Sequence, residues 1–390
     1  MKKAYYIDTY STEHLHEIFD ASSLLMFSYM YEHIEYRAAR SSCEHVVALL
    51  GSLPDNISYT PLAVAHVFSG WSKGKGLLKQ IQATVHNTHY ILSVPEGYDI
   101  IFNYDTLAAL PFMNIAARFT RNRILQICHG ELLELYTGAS KHFFLRRGLQ
   151  LLRSDDCIAK NIFFAVLGKA IYRNVFPLVG KDMQERMLSF EHSTIFPLEK
   201  CLPKHRTDKL IIGTIGGLRE DKGLSVLKQL AKRVKHMPNV ELRSIGRIAL
   251  SETELNAMGI VVPEQVHQRY LTRDELYEQI RQLDYALFLF QPEVYRFTAS
   301  GSVFDAIVCD TPILSLSNDY FRGLFDSYGD FGYLENDTDS IVQRIEWLVN
   351  QGVNKPVWNM QKLRVKMSPK TVAKHFAKQW LPTAIMYSNK

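Results

Sequence analysis

The sequence predicts an α/β protein of two domains, each built on a parallel sheet, and three observations carry that expectation. Short apolar runs of strand length alternate with longer stretches of helical period, the rhythm of parallel strands joined by helices. The chain has 390 residues, more than one hydrophobic core ordinarily serves. Between its halves lies EHSTIFPLEKCLPKH, residues 191–205, which has two prolines, mixed charge and little periodicity and reads as a linker.

Taken in order, the first half offers strand candidates at residues 4–7, 46–50, 64–68, 100–102, 124–128 and 162–167, with helical stretches at 77–88 and 106–118. The second half is better punctuated. Strands are expected at 210–215, 240–245, 285–290 and 312–315, and helices at 224–234, 273–282, 302–308 and 340–349. Near the end, Ser368 and Pro369 make a helix start, with the hydroxyl as N-cap and proline in the first turn. Val372, Phe376 and Trp380 then recur at i, i+4 and i+8, a single apolar stripe that needs a surface to cover.

Composition narrows the class. With 47% hydrophobic and 22% charged residues the chain is ordinary soluble globular protein, and no apolar run approaches the ~18 residues that would cross a bilayer. The opening MKKAYYIDTY has no apolar core or small-residue cleavage pattern, so a cytoplasmic location is expected. Cys43, Cys128, Cys157, Cys201 and Cys309 are scattered and never form CxxC, which argues for reduced packing residues and against a disulfide framework or zinc site. A net charge of +5 does not by itself point to nucleic acid. Residues 118–173, however, carry ten Lys or Arg against four acids, a local excess suited to an anionic partner such as a phosphoinositol-like or lipid headgroup surface. Within it, SKHFFLRRGLQLLR, residues 140–153, mixes aromatics, leucines and arginines as interfacial helices do, which leaves room for peripheral contact at the inner face of the membrane beside the reading of a helix with its basic face in water.

Two stretches carry the chemistry. GTIGGLREDKG, residues 213–223, follows an apolar strand and holds four glycines, Arg219 and Lys222, yet it matches neither the P-loop nor the GxGxxG spacing. Gly216 and Gly217 let main-chain amides approach an anion, the two bases supply charge, and the next helix presents its positive end; a solvated turn with two surface bases fits equally well. The second stretch, QPEVYRFTASGSVFDAIVCDTPIL, residues 291–314, opens a helix at Ser300, Gly301 and Ser302, places Asp305 three residues into it, and returns to a strand through Asp310, Thr311 and Pro312. Two anion-ready helix starts in one half suggest a diphosphate held from two sides.

This order of elements resembles the donor half of GT-B glycosyltransferases, in particular the retaining class called family 4, over residues 210–349. The resemblance implies two Rossmann-like domains with parallel sheets facing a central cleft: an acceptor domain at 1–195, a nucleotide-sugar domain at 196–364, and a terminal helix, 365–390, returning to the first. It implies that Arg219 and Lys222 neutralise the nucleotide diphosphate, that Ser300, Gly301 and Ser302 present amides to the phosphates and sugar, and that Asp305 holds the ribose hydroxyls as the second acid of an E-x7-E motif. Where the first acid of that motif should lie the chain has Phe297, with Glu293 four residues too early, so Glu293, Tyr295 and Arg296 are the candidates to recognise the sugar. Asp310 stands where the family's turn has glycine. In the first half, ILQICHGELLEL, residues 124–135, ends a strand at His129, where relatives carry a histidine facing the transferred sugar; Glu131 either orients it or lies in the first turn of a helix. His129 and Asp305 are thus expected on opposite walls of one cleft.

The implied activity is transfer of a sugar from a UDP- or GDP-linked donor to a glycan or lipid-linked acceptor in surface-polysaccharide or glycan assembly. Retention and independence of metal are expected, with no cofactor beyond the donor and no nucleic-acid partner. Asp337, Thr338 and Asp339 imitate a DxD metal motif, but they precede a helix and read as a cap. GWSKGKG, residues 70–76, reads as a charged turn. The competing expectations are a nucleotide-sugar 2-epimerase or an inverting transferase, which needs a carboxylate base in the first half, and a non-catalytic sugar-nucleotide binding protein.

Overall fold

The computed structural model describes residues 2–11, 17–63, 75–138, 142–155, 157–196, 208–267, 269–291, 293–352 and 358–383. The candidate strand at 64–68, residues 70–74 of the charged turn, residues 197–205 of the linker and Cys201 lie outside them. The chain divides into two compact units, one comprising Met1–Ile195, Phe297–Ala299 and Met367–Lys390, the other Phe196–Arg296 and Ser300–Lys366.

The first unit runs β1 (Lys3–Asp8), α1 (Glu17–Ser28), β2 (His33–Ala38), α2 (Arg40–Leu50), β3 (Ile57–Tyr59), α3 (Lys75–Ser93), β4 (Tyr98–Phe102), α4 (Leu110–Ala117), β5 (Ile124–Cys128), α5 (Leu133–Thr137), α6 (Phe143–Arg153), β6 (Ile162–Leu167), α7 (Lys169–Val175), α8 (Lys181–Gln184) and β7 (Met187–Phe190). Its strands pair in the order β3-β2-β1-β4-β5-β6-β7, all parallel. The order reverses between β1 and β4, which is where an open α/β sheet presents a crevice at its carboxyl edge. Every residue of β5 and β6 is buried, as central parallel strands require.

One element departs from expectation. Residues 46–50, VVALL, are the last turns of α2 and not a strand. Ser42, Cys43 and Val46 are the buried positions of that helix, a helical spacing that the short apolar run concealed, and Gly51 ends it at φ 72°. The strand lies earlier, in HIEYRA, whose alternating burial marks β2 as covered on one face.

The second unit runs β8 (Leu210–Ile215), α9 (Leu224–Val234), β9 (Val240–Ile245), α10 (Glu252–Met258), β10 (Ile260–Val261), α11 (Arg273–Arg281), β11 (Tyr285–Phe288), α12 (Gly301–Val308), β12 (Ile313–Leu316), α13 (Asp319–Tyr328), β13 (Gly332–Glu335), α14 (Thr338–Gln351) and α15 (Met360–Met367), the last helix reaching the first unit at Met367. The sheet order is β10-β9-β8-β11-β12-β13, again parallel, with its reversal between β8 and β11. Its core is the aliphatic layer of Leu227, Leu230, Leu242, Leu287, Leu314, Ile341 and Ile345. Ser251 and Thr272 start α10 and α11 with complete capping boxes through Glu254 and Glu275.

The final helix, α16 (Pro369–Trp380), belongs to the first unit: Val372, Phe376 and Trp380 are buried in its core beside Phe27 and Phe190. Burial of three such side chains is worth roughly 1.5–3 kcal/mol each. Polar contacts fix the register. The Trp380 indole N–H donates to the Tyr31 hydroxyl (2.5 Å), which donates to Asp99 (2.6 Å), and the Arg123 guanidinium lies 4.1 Å over the indole while donating to the Trp380 carbonyl (3.0 Å).

Candidate functional site

In the second unit the glycine-rich loop begins where β8 ends, at the reversal of strand order. Gly216 has φ 84°, and its amide donates to the Ile245 carbonyl (2.7 Å) while that of Leu218 donates to Arg247 (2.7 Å), so the loop is sewn to the end of β9. Gly223, at φ 88°, starts α9; a Cβ there would lie 2.0 Å from the Leu289 carbonyl oxygen, so only glycine lets the helix seat against the chain leaving β11. Between them Arg219 is exposed and Lys222, on a short 3-10 turn, is half-buried.

The two candidate stretches meet here. A Cβ placed on Gly216 would approach Ser302 Cβ at 4.0 Å, so the loop after β8 lies against the first turn of α12. Ser300 is the N-cap of α12 but its side chain accepts no capping bond; its hydroxyl is 3.1 Å from that of Ser302, and its amide donates to the Tyr320 hydroxyl (3.0 Å). Gly301 is exposed with open space around it. An uncapped first turn, two bases and a glycine loop at one strand edge form a surface to which a diphosphate can bind by charge and by main-chain amides.

Asp305, one turn further along α12 and half-buried, accepts from Arg273 Nη1 at 3.0 Å. Tyr295 is buried, its ring stacked on Phe290 at 3.8 Å and 9°, whereas Glu293 is exposed in the turn before it. Phe297, which takes the place of the first acid of the motif, is buried in the first unit with its ring stacked on Tyr136 at 5.5 Å. Asp310 adopts φ 53°, the left-handed conformation that glycine favours and aspartate tolerates, and Arg364 holds its carboxylate at 2.7 Å. Asp337 caps α14, its Oδ1 accepting from the Ser340 amide (2.7 Å) and hydroxyl (2.6 Å), while Asp339 pairs with Arg233.

The first unit gathers a second set of groups at the carboxyl ends of β1, β4 and β5. Asp8 accepts from the amides of Tyr10 (2.8 Å) and Ser11 (2.7 Å) and from Asn103 Nδ2 (2.8 Å), and Asn103 Nδ2 also reaches Asp20. Burial holds the Asp20 carboxyl well above the usual carboxylate range, reinforced by the neighbouring Asp8. His129 is half-buried, with Nε2 2.9 Å from the Asn103 carbonyl oxygen; a carbonyl can only accept, so that nitrogen carries the hydrogen of the pair. The Phe19 ring meets the imidazole edge-on at 4.6 Å.

Glu131 lies in the same turn, and its Oε2 accepts from the main-chain amides of His129 and Gly130, each at 2.9 Å, holding the turn that carries the histidine. Burial pushes the Glu131 carboxyl up to about 7 against the pull of those amides, and it pushes Asp105, held by Asn87 Nδ2 (2.6 Å) and the Thr106 amide (2.7 Å), up to about 7 as well. Such groups exchange protons near neutral pH.

Residues outside the expected set also belong to these sites. Arg247, at the end of β9, receives the loop through its carbonyl and stacks its guanidinium 4.0 Å over Tyr270; the Gly246-Arg247 pair directly after a strand was a legible signal. Arg273, Asn103 and Asp105 had no such mark.

No protein-family model and no curated protein matches the chain. Solved structures do. Aligned to one structure of TarM, the match covers 77% of this chain and 57% of that one, with 16% identity and a TM-score of 0.56. A TarM mutant from S. aureus, in complex with fondaparinux, α-GlcNAc-glycerol and UDP, aligns over 98% of this chain and 99% of its own at 12% identity and a TM-score of 0.60. HepE from Anabaena, in complex with UDP-glucose, aligns over 100% of both chains at 12% identity and 0.57. The lipopolysaccharide outer core galactosyltransferase WaaB, in its apo form, aligns over 98% of this chain and 100% of that one at 10% identity and 0.59. At these identities the likeness shows the fold: two parallel-sheet, Rossmann-like α/β domains of the GT-B type, as the sequence led us to expect.

Proposed function

We propose that this chain is a glycosyltransferase that moves a sugar from a nucleotide-diphosphate sugar, UDP- or GDP-linked, to a glycan or lipid-linked acceptor. The observation that carries the reading is the meeting of Gly216 with Ser302, which brings the basic glycine loop and the uncapped start of α12 to one strand edge. Arg219 and Lys222 bind the diphosphate, the first amides of α12 share its charge, and Asp305 holds the ribose. Preorganised donors of this kind stabilise a departing diphosphate without a metal ion, which supports metal-independent transfer. His129 meets the sugar being transferred from the first unit, and Glu293 is the remaining candidate acid for its recognition. The UDP, UDP-glucose and glycan ligands of TarM and HepE, and the galactosyltransferase name of WaaB, agree with this class. Retention of anomeric configuration, as in family 4, and a place in surface-polysaccharide or glycan assembly complete the proposal.

A second reading has its own support. An inverting transferase needs a carboxylate base in the first unit, and Glu131 and Asp105, both pushed up to about 7, are carboxyls of that kind. Incubation with UDP-, GDP- and ADP-sugars, with nucleotide release measured and the product's anomeric configuration read by NMR, tests both. Release with a retained configuration supports the first reading and an inverted one the second. Binding without release in the presence of acceptor extracts would mean a sugar-nucleotide binding protein.

A further inference from the structure

We infer that α3, α4 and α6 together form a docking surface for an anionic lipid bilayer. The sequence marked the basic excess over 118–173 and the run at 140–153; the structure adds the two neighbouring helices α3 and α4. On α3, Leu78, Ile81, Val85 and Leu92 recur at i, i+3, i+7 and i+14 and are all exposed, while Lys79, Ala83, Asn87 and Ile91 face the interior, so this helix carries an outward apolar stripe left exposed among the described residues. Phe112 and Ile115 on α4 and Phe119 just beyond it continue the exposed set, with Phe119 78% exposed. Phe143 and Phe144 begin α6, and the Phe112 and Phe144 rings meet at 5.2 Å, which joins α4 to α6 across their boundary. α3 in turn packs along α4. A soluble protein rarely leaves so many large apolar side chains side by side without a use for them.

Charge selects the occupant. Residues 75–93, 110–123 and 143–153 contain no Asp or Glu, whereas Arg118, Arg121, Arg146 and Arg147 are exposed among the aromatics, the last with its guanidinium 5.5 Å from the Phe143 ring centre. Because these three helices contribute bases and no carboxylate, two copies meeting through them would set like charges against each other. A bilayer of anionic headgroups supplies the missing negative charge at its surface and an apolar layer just beneath for the phenylalanines and aliphatic side chains. This surface is independent of the reaction proposed above, since none of its residues belongs to either candidate site.

Flotation with vesicles of equimolar phosphatidylglycerol and phosphatidylcholine, and with phosphatidylcholine alone, tests the inference. The chain is expected to float with the anionic vesicles at low salt and to release as salt shortens the Debye length from ~30 Å at 0.01 M to ~8 Å at 0.15 M. Arg146→Ala with Arg147→Ala should lower partitioning about 25-fold, roughly five-fold for each base withdrawn from the surface. Ile115→Ser with Phe119→Ser, and separately Leu78→Ser with Val85→Ser, should weaken it without changing charge. All these positions are exposed, so unaltered thermal unfolding verifies that each variant is folded. Failure to float with anionic vesicles at low salt overturns the proposal, as does undiminished partitioning of both apolar variants. A dimer in sedimentation equilibrium that the apolar variants convert to monomer would assign the face to a second copy instead.

Discussion

Glu131→Gln should change how the stability of this chain depends on pH, with a sign and size that follow from the geometry. Glu131 Oε2 accepts from the amides of His129 and Gly130 at 2.9 Å each, while Oε1 is shut away from water. Desolvation outweighs the two amides and raises the carboxyl from its ordinary 4.5 to about 7. Below pH 4.5 both folded and unfolded chains hold the proton. Between 4.5 and 7 the unfolded chain has lost it and the folded chain keeps it, so stability falls as pH rises through this window; above 7 the loss is complete. At ~1.4 kcal/mol per unit, the displacement corresponds to at most about 3 kcal/mol. Glutamine keeps an oxygen for the two amides and never ionises. Relative to the parent, the variant should therefore gain up to about 3 kcal/mol between pH 4.5 and 8. Asp105, raised to about 7 by its own burial, continues to give both proteins a residual slope in the same direction. Urea denaturation at pH 5, 6, 7 and 8 reads the difference. Parallel stability curves for the two proteins would refute the claim that burial keeps Glu131 protonated near neutrality.

Other outcomes follow from the same structure. Arg219→Ala and Lys222→Ala should each cost on the order of 1.5–3 kcal/mol in nucleotide-sugar affinity, and calorimetry showing unchanged binding in the double variant would remove them from the diphosphate site. Gly223→Ala must place a methyl group 2.0 Å from the Leu289 carbonyl oxygen at φ 88°, so it should lower the unfolding midpoint markedly, whereas Gly216→Ala, at φ 84° but with only Ser302 at 4.0 Å, should cost the backbone strain alone, about 1–2 kcal/mol, and weaken nucleotide binding. Because Asp337 is a helix cap, Asp337→Ala should cost about 1 kcal/mol of stability while EDTA leaves transfer intact; activity lost to EDTA and restored by manganese would contradict the metal-independent reading. His129→Ala should reduce turnover with nucleotide affinity unchanged, and a loss confined to KM for the donor would assign the histidine a binding role instead.

Much of the second unit was legible because its signals are local. Leu210–Ile215, Leu224–Val234 and Val240–Ile245 are punctuated by Gly216, Gly223, Pro238 and Gly246, so their limits could be read to the residue. The helix start at Ser300 and Gly301, the cap at Asp337 and the aspartate standing for glycine at position 310 were legible for the same reason: each depends on a few neighbouring residues and their backbone angles. The first unit was harder. VVALL is too short to separate a buried strand from the end of a helix, and HIEYRA hides β2 behind its polar outward face.

What the sequence determined by itself was the alternation of strands and helices, the left-handed turns that need glycine, and the chemistry available at each strand end. Tertiary structure decided which of those ends become neighbours. Gly216 lies against Ser302 because β8 pairs with β11 in the reversed sheet order, a choice made by the packing of whole layers. Arg273 reaches Asp305 because α11 lies beside α12. Glu131 holds a proton near neutrality because the fold closes over it. Hydrophobic period reports only that a residue is covered; what covers it depends on contacts between segments far apart in the chain, and no local pattern encodes them.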